Sequence, residues 1–210
     1  MTQPTSGSQP LSSFGSEYNS LRFIILSILS KIRTATLCKV TSVTNAGGVS
    51  PVGFVDLQPL VNQVTGAGVA MAQGAIYHIP YFRLQGGANA IILDPQVGDI
   101  GIAIFADSDI SNVVTTKAQS SPGSGREFDV SDGLYFGGFL NGLPTQIFEF
   151  LNDGAGIALT TPGSFTVNAS SMIVNCGITA TGDVVGNGIS LDSHVHGGVT
   201  PGGSDTGVPI

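Results

Sequence analysis

The chain has 210 residues, enough for one ordinary domain with an extension or for two small domains. Only 10% of the residues are charged and 41% are hydrophobic, and the net charge is −7 with seven scattered Lys and Arg. Nucleic-acid binding requires a basic surface that neutralises phosphates, so this composition argues against a nucleic-acid partner. A chain with so many apolar and so few charged residues would expose large apolar patches as a monomer. We therefore expect it to bury much of its surface against copies of itself.

The first 33 residues are predicted to form a polar tail followed by a short helix. The first twenty residues lack the basic start of a secretory signal. Apolar residues then recur at spacings of four, three and four, which predicts a helix over 18–33. These residues are Leu21, Ile25, Ile28 and Ile32. The apolar face is wider than an ordinary amphipathic stripe, so we expect the helix to dock within its own assembly or on another protein.

Residues 34–143 are predicted to form a small β-barrel. Short runs with period-two alternation are separated there by turn signals such as Asp94-Pro95. The predicted strands cover residues 36–43, 52–61, 75–79, 90–93 and 100–105. A short helix is predicted at 107–116 and renewed extended structure at 135–139. Five closely spaced strands of this kind are typical of a closed barrel.

Residues 144–192 show a different pattern. Short apolar alternations are separated by turns rich in Gly, Asn, Asp and Pro, and no Lys or Arg follows Arg126. Strands this short cannot bury an apolar face alone. Stacked on themselves or wound with other chains, however, they form a β-helix or prism. The sequence therefore predicts a narrow, stiff shaft with little charge.

Residues 193–210 contain the most specific candidate site, the pair His194 and His196. Side chains at positions i and i+2 of a strand point to the same face, so both imidazoles are expected on one side. Two surface histidines are the simpler interpretation of an isolated His-x-His pattern. Two imidazoles leave a metal undercoordinated, whereas three chains around a threefold axis would supply six. Six nitrogens suit an octahedral first-row ion such as Fe²⁺ better than tetrahedral zinc.

A metal caged in this way would be structural, because no coordination position stays open for water or substrate. It would hold together three chain ends that otherwise fray. Asp192, Ser193 and Asp205 could hydrogen-bond to the imidazoles, although turn capping is the favoured role for each.

Two stretches resemble parts of one family of proteins. Residues 34–140, with Ile-Pro-Tyr-Phe-Arg-Leu-Gln-Gly-Gly at 79–87 and Pro-Gln-Val-Gly-Asp-Ile-Gly at 95–101, resemble the N-terminal domain of baseplate spike proteins of contractile-tail phages. The segment Ser-His-Val-His-Gly-Gly-Val-Thr-Pro-Gly-Gly-Ser-Asp-Thr-Gly-Val-Pro at 193–209 resembles the tip of central spikes of the P2/Mu family. The resemblance implies an all-β protein: an OB-fold barrel, then an intertwined triple-stranded β-helix or prism, then a metal-bound apex.

The resemblance also implies ligands and partners. One iron ion per trimer would lie on the threefold axis, bound by His194 and His196 of three chains, and the shaft could hold further ions. The chain would be a structural virion protein at the tip of the tail baseplate, made in the host cytoplasm. Its partners would be two further copies, a baseplate hub protein and, transiently, the host outer membrane, which the spike punctures.

Other classes of function fit the sequence less well. Cupin-like oxygenases also use His-x-His, but they need a further carboxylate and histidine downstream, and no histidine follows His196. We therefore expect no enzyme. A nucleic-acid or sugar-binding barrel could present Tyr77, Tyr81, Phe82 and Arg83 as a stacking platform. Given the acidic charge, packing of these residues in the barrel or at a chain contact is favoured.

A tail protein that binds a receptor or polysaccharide without piercing is the remaining alternative. Such adhesins usually end in exposed aromatic or charged loops. This chain ends in a segment rich in Gly, Pro and His, which favours mechanical penetration.

Overall fold

The computed structural model describes residues 15–45, 47–65, 68–195, 198 and 202. In this part of the chain the protein is mostly β with two short α-helices, in agreement with the predicted all-β class. The chain divides into two compact units, Met1–Pro144 and Thr145–Ile210. The finer four-part division at residues 33, 143 and 192 stays a prediction.

The first unit begins with helix α1, which Ser16 caps by accepting a 3.2 Å hydrogen bond from the backbone N–H of Asn19. A second short helix, α2, precedes the last strand of this unit. The elements are α1 (Glu17–Leu29), β1 (Ala35–Val43), β2 (Phe54–Pro59), β3 (Gln63–Val64), β4 (Ala70–Met71), β5 (Ile76–Pro80), β6 (Leu84–Gly86), β7 (Asn89–Ile91), β8 (Ile100–Phe105), α2 (Ser111–Thr116) and β9 (Gly133–Gly137).

Five of these strands form one antiparallel sheet in the order β5-β2-β1-β8-β9. The two outer strands meet through a parallel bridge between Tyr81, directly after β5, and Tyr135 in β9. The backbone N–H of Phe82 donates to the Tyr135 carbonyl at 2.8 Å across the same junction. The sheet is therefore closed into a barrel, which removes its free edges.

The membership of the barrel differs from the sequence prediction in one strand. The strand predicted at 90–93 lies at 89–91 and pairs with β6 in a separate hairpin whose turn contains Gly87 at φ +57°. The fifth barrel strand is β9, in a region where only extended structure was predicted. The alternation of residues predicts extended structure both at 89–91 and in β9. Only β9 pairs with β8, and this long-range pairing makes it a barrel strand.

The interior of the barrel is filled by side chains from all five strands, because alternate residues of each strand point inwards. Tyr135 and Leu57 are the largest fully buried side chains, and Val43 and Val130 pack against the cluster from its margin. The buried cluster consists of Cys38, Val40, Val55, Leu57, Ile76, Ile79, Tyr81, Ala103, Phe105 and Tyr135.

The second unit contains two hairpins. Strand β10 (Ile147–Leu151) pairs with β11 (Gly156–Thr160), and β12 (Val185–Gly186) pairs with β13 (Ile189–Ser190). Residues 161–184 form neither helix nor strand, although the sequence predicts short strands there. Strands of three to five residues are stable only when they pair with neighbouring strands. The described part of a single chain provides no neighbouring strand along this segment.

None of the residues 145–195 is buried, so this part of the chain has no core of its own. Among the described residues, no helix combines the length and the apolar character needed to cross a bilayer.

Candidate metal-binding apex

The hairpin β12–β13 leads directly into the predicted metal-binding pair. Its turn is Asn187-Gly188, with φ of 49° and 81°. Asn-Gly is the preferred pair for a two-residue turn in which both central residues have positive φ. Beyond the strands, the backbone N–H of Leu191 donates to the Val184 carbonyl at 2.9 Å. The chain that carries His194 therefore leaves a hairpin with a defined register.

A carboxylate and two hydroxyls hold the residues that follow the hairpin. Asp183 accepts a 3.1 Å hydrogen bond from the backbone N–H of Asp192. Hydrogen bonds from the Ser190 hydroxyl and from this N–H lower the pKa of the Asp183 carboxyl. The Ser190 hydroxyl oxygen in turn accepts from both the N–H and the hydroxyl of Ser193, each at 2.9 Å. The Ser190 side chain therefore caps the turn at 191–193, and Ser193, for which the capping role was favoured from the sequence, is the donor.

His194 is oriented by the backbone of the same hairpin. Its backbone N–H donates to the Ser190 carbonyl at 3.2 Å, and its ring atom Nδ1 lies 2.8 Å from the same oxygen. A carbonyl oxygen only accepts, so Nδ1 must carry the proton and the neutral ring has its lone pair on Nε2. Metal-binding histidines usually donate their other ring N–H to a backbone carbonyl, a carboxylate or water. His194 therefore has the tautomer of an Nε2 metal ligand.

The second predicted ligand, His196, lies outside the described residues, as does Asp205. Over 15–45, 47–65 and 68–195, no group of three or more His, Cys, Asp or Glu is placed to hold a metal ion. The described part of one chain therefore brings a single imidazole to the candidate site. Further ligands would have to come from His196 and from other copies of the chain.

Sequence reasoning missed the contribution of Ser190. The group that orients His194 is a backbone carbonyl, which every residue possesses, so its identity leaves no trace in the sequence. The Asn187-Gly188 pair was the available signal for this hairpin. A two-residue turn at that point pairs the residues after the turn with those before it.

Residues 188–209 match the family model of the GpV Apex motif. The C-terminal segment is similar to the apex motif of a phage tail spike. This apex segment begins in the β12–β13 turn and contains both histidines, and it covers about a tenth of the chain. No curated protein matches the chain.

The hairpin at the start of the same unit, ahead of the apex segment, presents an apolar face without cover. Phe148 and Phe150 of β10 lie opposite Leu159 and Ile157 of β11, so all four side chains share one face. The two rings pack edge to face at 5.4 Å, yet each of the four side chains is exposed. An apolar face of this kind on a two-stranded hairpin requires a further layer.

The four residues considered as a stacking platform do not lie on one surface. Tyr77 and Phe82 are exposed, whereas Tyr81 and Arg83 are buried. Arg83 forms an ion pair with Asp94, and both side chains are almost completely buried. Tyr81 therefore belongs to the barrel core, and Arg83 is buried beside Asp94.

Hydrogen bonds surround this buried pair. The Tyr81 hydroxyl donates to Asp94 Oδ1 at 2.7 Å and accepts from Asn45 Nδ2 at 2.9 Å. Burial by itself raises the pKa of Asp94, but the hydrogen bonds from Tyr81 and Arg83 and the guanidinium charge outweigh it, so the pKa is lowered. The network ties the region after β5 to the loop between β1 and β2.

Proposed function

We propose that the chain is the subunit of a homotrimeric, membrane-piercing spike at the tip of a contractile phage tail, with a mechanical role and no catalytic one. The observation that carries the proposal is the match of residues 188–209 to the apex motif. This motif follows a segment that buries none of its residues 145–187 within one chain. A spike tip at the end of a shaft built from several chains accounts both for the apex motif and for the absence of buried residues in the segment before it.

The exposed apolar side chains of the second unit support assembly with further copies. Burying such side chains stabilises a protein by roughly 25 cal/mol per Å², and exposing them all would favour aggregation. Three chains wound into a β-helix would cover these side chains. They would also give the segment 161–184 neighbouring strands with which its backbone could form hydrogen bonds. The exposed set comprises Phe148, Phe150, Leu151, Ile157, Leu159, Phe165, Val167, Met172, Ile173, Val174, Ile178, Val184, Val185, Ile189, Leu191 and Val195.

The barrel supports an OB-fold at the base of the spike. Its first strand pairs with the second and the fourth barrel strands, and its third and fifth strands meet in parallel. This is the connectivity of a five-stranded OB barrel. In the proposed spike the barrel is a collar that attaches to a baseplate hub protein and transmits the force of contraction to the shaft.

The tautomer of His194 supports a metal at the apex. With Nδ1 donating to the Ser190 carbonyl, Nε2 is the nitrogen that could bind the ion. His194 and His196 of three chains would together provide six imidazoles for one Fe²⁺. When bound, the ion would cross-link the three chain ends. The Asp183–Ser190–Ser193 network would hold each imidazole in place.

The decisive experiment is metal analysis of the purified chain combined with its native mass. We expect a trimer with one iron per three chains, lost in the double variant His194→Ala/His196→Ala. His78→Ala is the matched control, because this third histidine stacks on Phe54 in the barrel at 3.8 Å and its removal should leave the iron in place. A monomer, or one metal per chain, would overturn the threefold apex.

A separate experiment distinguishes piercing from adhesion. Saturable binding of the isolated trimer to host outer-membrane polysaccharide would favour the adhesin. For a piercing spike we expect no such binding, and phage particles carrying the double histidine variant should adsorb normally but deliver their DNA less efficiently.

A further inference from the structure

Helix α1 is apolar, and the described part of its own chain leaves most of its large apolar side chains exposed. None of its thirteen residues is buried. Most of its large apolar side chains are exposed, whereas Phe23 and Leu26 are half-buried. A tighter turn follows the helix, with hydrogen bonds from Lys31 to Ile28 and from Ile32 to Leu29. The exposed set is Tyr18, Leu21, Ile24, Ile25, Ile28, Leu29 and Ile32. A helix of this composition requires a partner.

The spacing of these residues is that of a coiled coil. Apolar residues at alternating spacings of three and four form a seam with a repeat of 3.5 residues, the a and d positions of a heptad. In α1 the a positions are Tyr18 and Ile25 and the d positions are Leu21 and Ile28. The next a position, Ile32, lies just beyond the end of the helix. The seam contains no charged residue.

The residues that flank the seam define how copies would align. Glu17 occupies a g position and Arg22 the following e position, and they are the two charged residues of the helix. In a parallel, in-register coiled coil, each g residue lies next to the e residue five positions later in the neighbouring chain. Glu17 would therefore pair with Arg22 of the adjacent copy. The next such pair is Ile24 with Leu29, which is apolar and widens the core.

We propose that α1 forms a parallel, in-register three-stranded coiled coil with two further copies of itself. In the second heptad Ile25 at a and Ile28 at d favour more than two strands, and the number three rests on the trimer of the proposed function. A second copy is favoured over an unrelated partner because the charges of α1 complement those of another α1. Two heptads would be marginal alone, but barrels held in one trimer keep the helices at high local concentration.

Disulfide cross-linking of the purified full-length trimer tests the seam. Ile28→Cys at a d position is compared with Ser27→Cys at the outward c position, both in a Cys176→Ser background that removes the exposed native thiol. Under mild oxidation Ile28→Cys should link two of the three chains rapidly, and Ser27→Cys should react several-fold more slowly. Equal rates at the two positions would overturn the coiled coil.

The charge pair tests orientation and register. Glu17→Arg or Arg22→Glu alone places like charges together and should slow cross-linking at Ile28→Cys about twofold. The double variant Glu17→Arg/Arg22→Glu should restore the rate. A double variant as slow as the single ones contradicts the parallel register. A trimer that does not cross-link disproves the coil and leaves the proposed spike intact, whereas a monomer disproves both.

Discussion

The ring of Tyr135 lies against the Cα atom of Gly101. A Cβ atom at position 101 would lie 2.3 Å from the Phe136 carbonyl oxygen and 2.5 Å from two ring carbons of Tyr135, far inside van der Waals contact. Gly101 belongs to β8 and Tyr135 to the neighbouring strand β9. The missing side chain of Gly101 therefore makes room for the largest fully buried side chain of the barrel.

We expect Gly101→Ala to lower the free energy of unfolding of the barrel by about 1–3 kcal/mol, as in other overpacked cores. Urea denaturation followed by tyrosine fluorescence measures the change. Gly74→Ala is the matched control, since its Cβ would meet no atom within 4 Å. Equal losses in the two variants would mean that β9, with the Tyr135 ring and the Phe136 carbonyl, does not pack this closely on Gly101.

The Tyr81 hydroxyl is expected to stabilise the buried ion pair. Tyr81→Phe removes the hydrogen bond to Asp94 and leaves a charged acceptor with one donor fewer, which should cost about 1–3 kcal/mol of unfolding free energy. Tyr77→Phe makes the same chemical change on a side chain that is 68% exposed, and should have little effect. Thermal unfolding of both variants measures the change in stability. If Tyr81→Phe is as stable as the unchanged protein, the proposed role of the hydrogen-bond network is wrong.

Acid should weaken the loop between β8 and β9 through Asp109. Hydrogen bonds from Ser111 and Ser124, together with the nearby Arg126 guanidinium, lower the pKa of Asp109 to about 2. Because the pKa in the folded state lies below the ordinary value of 3.8, the charged carboxylate stabilises the fold above about pH 4. This stabilisation is lost as the pH falls from about 4 towards 2.

Unfolding titrations between pH 2 and pH 6 test this assignment. The slope of stability against pH should be smaller in Asp109→Asn than in the unchanged protein. Ser124→Ala, which removes a 2.6 Å hydrogen bond to the same carboxylate, should give an intermediate slope. Identical slopes in all three proteins would rule out Asp109 as a contributor.

Asp183→Asn is expected to loosen the apex segment. The amide accepts hydrogen bonds from Ser190 and Asp192 more weakly than the carboxylate does, so His194 is held less firmly. If the apex binds iron as proposed, a chelator should remove the metal faster, by up to about tenfold. The same substitution at Asp153, in an exposed turn with φ +58° that asparagine tolerates, should leave the rate unchanged.

If the second unit assembles with further copies as proposed, Phe150→Asp should prevent that assembly. Phe150 lies opposite Ile157 on the exposed apolar face of the β10–β11 hairpin, and a charge there would have to be buried without a partner at a cost of several kcal/mol. Sedimentation velocity should show monomers or aggregates in place of trimers. Val49→Asp, at a fully exposed loop position of the first unit, should sediment as the unchanged protein does. If Phe150→Asp forms normal trimers, the apolar face of the hairpin is exposed to solvent in the assembly and is not part of an interface.

The sequence signal for the candidate site is local. The i, i+2 spacing of the histidines and the Gly-rich segment after them are properties of neighbouring residues. The orientation of His194 depends instead on a backbone carbonyl four residues earlier, and hence on the register of the β12–β13 hairpin. Backbone groups are the same in every residue, so no sequence pattern identifies this contact.

The sequence by itself determined the all-β class, the N-terminal helix and four of the five barrel strands, because each depends on periodicity within a few residues. Only the tertiary structure decided that β9, and not the segment at 89–91, completes the barrel. It alone also decided that Tyr81 and Arg83 lie inside with Asp94. The physical reason is the same in both cases: strand pairing and burial join residues that are distant in the chain, and local patterns carry no information about which distant residue is the partner.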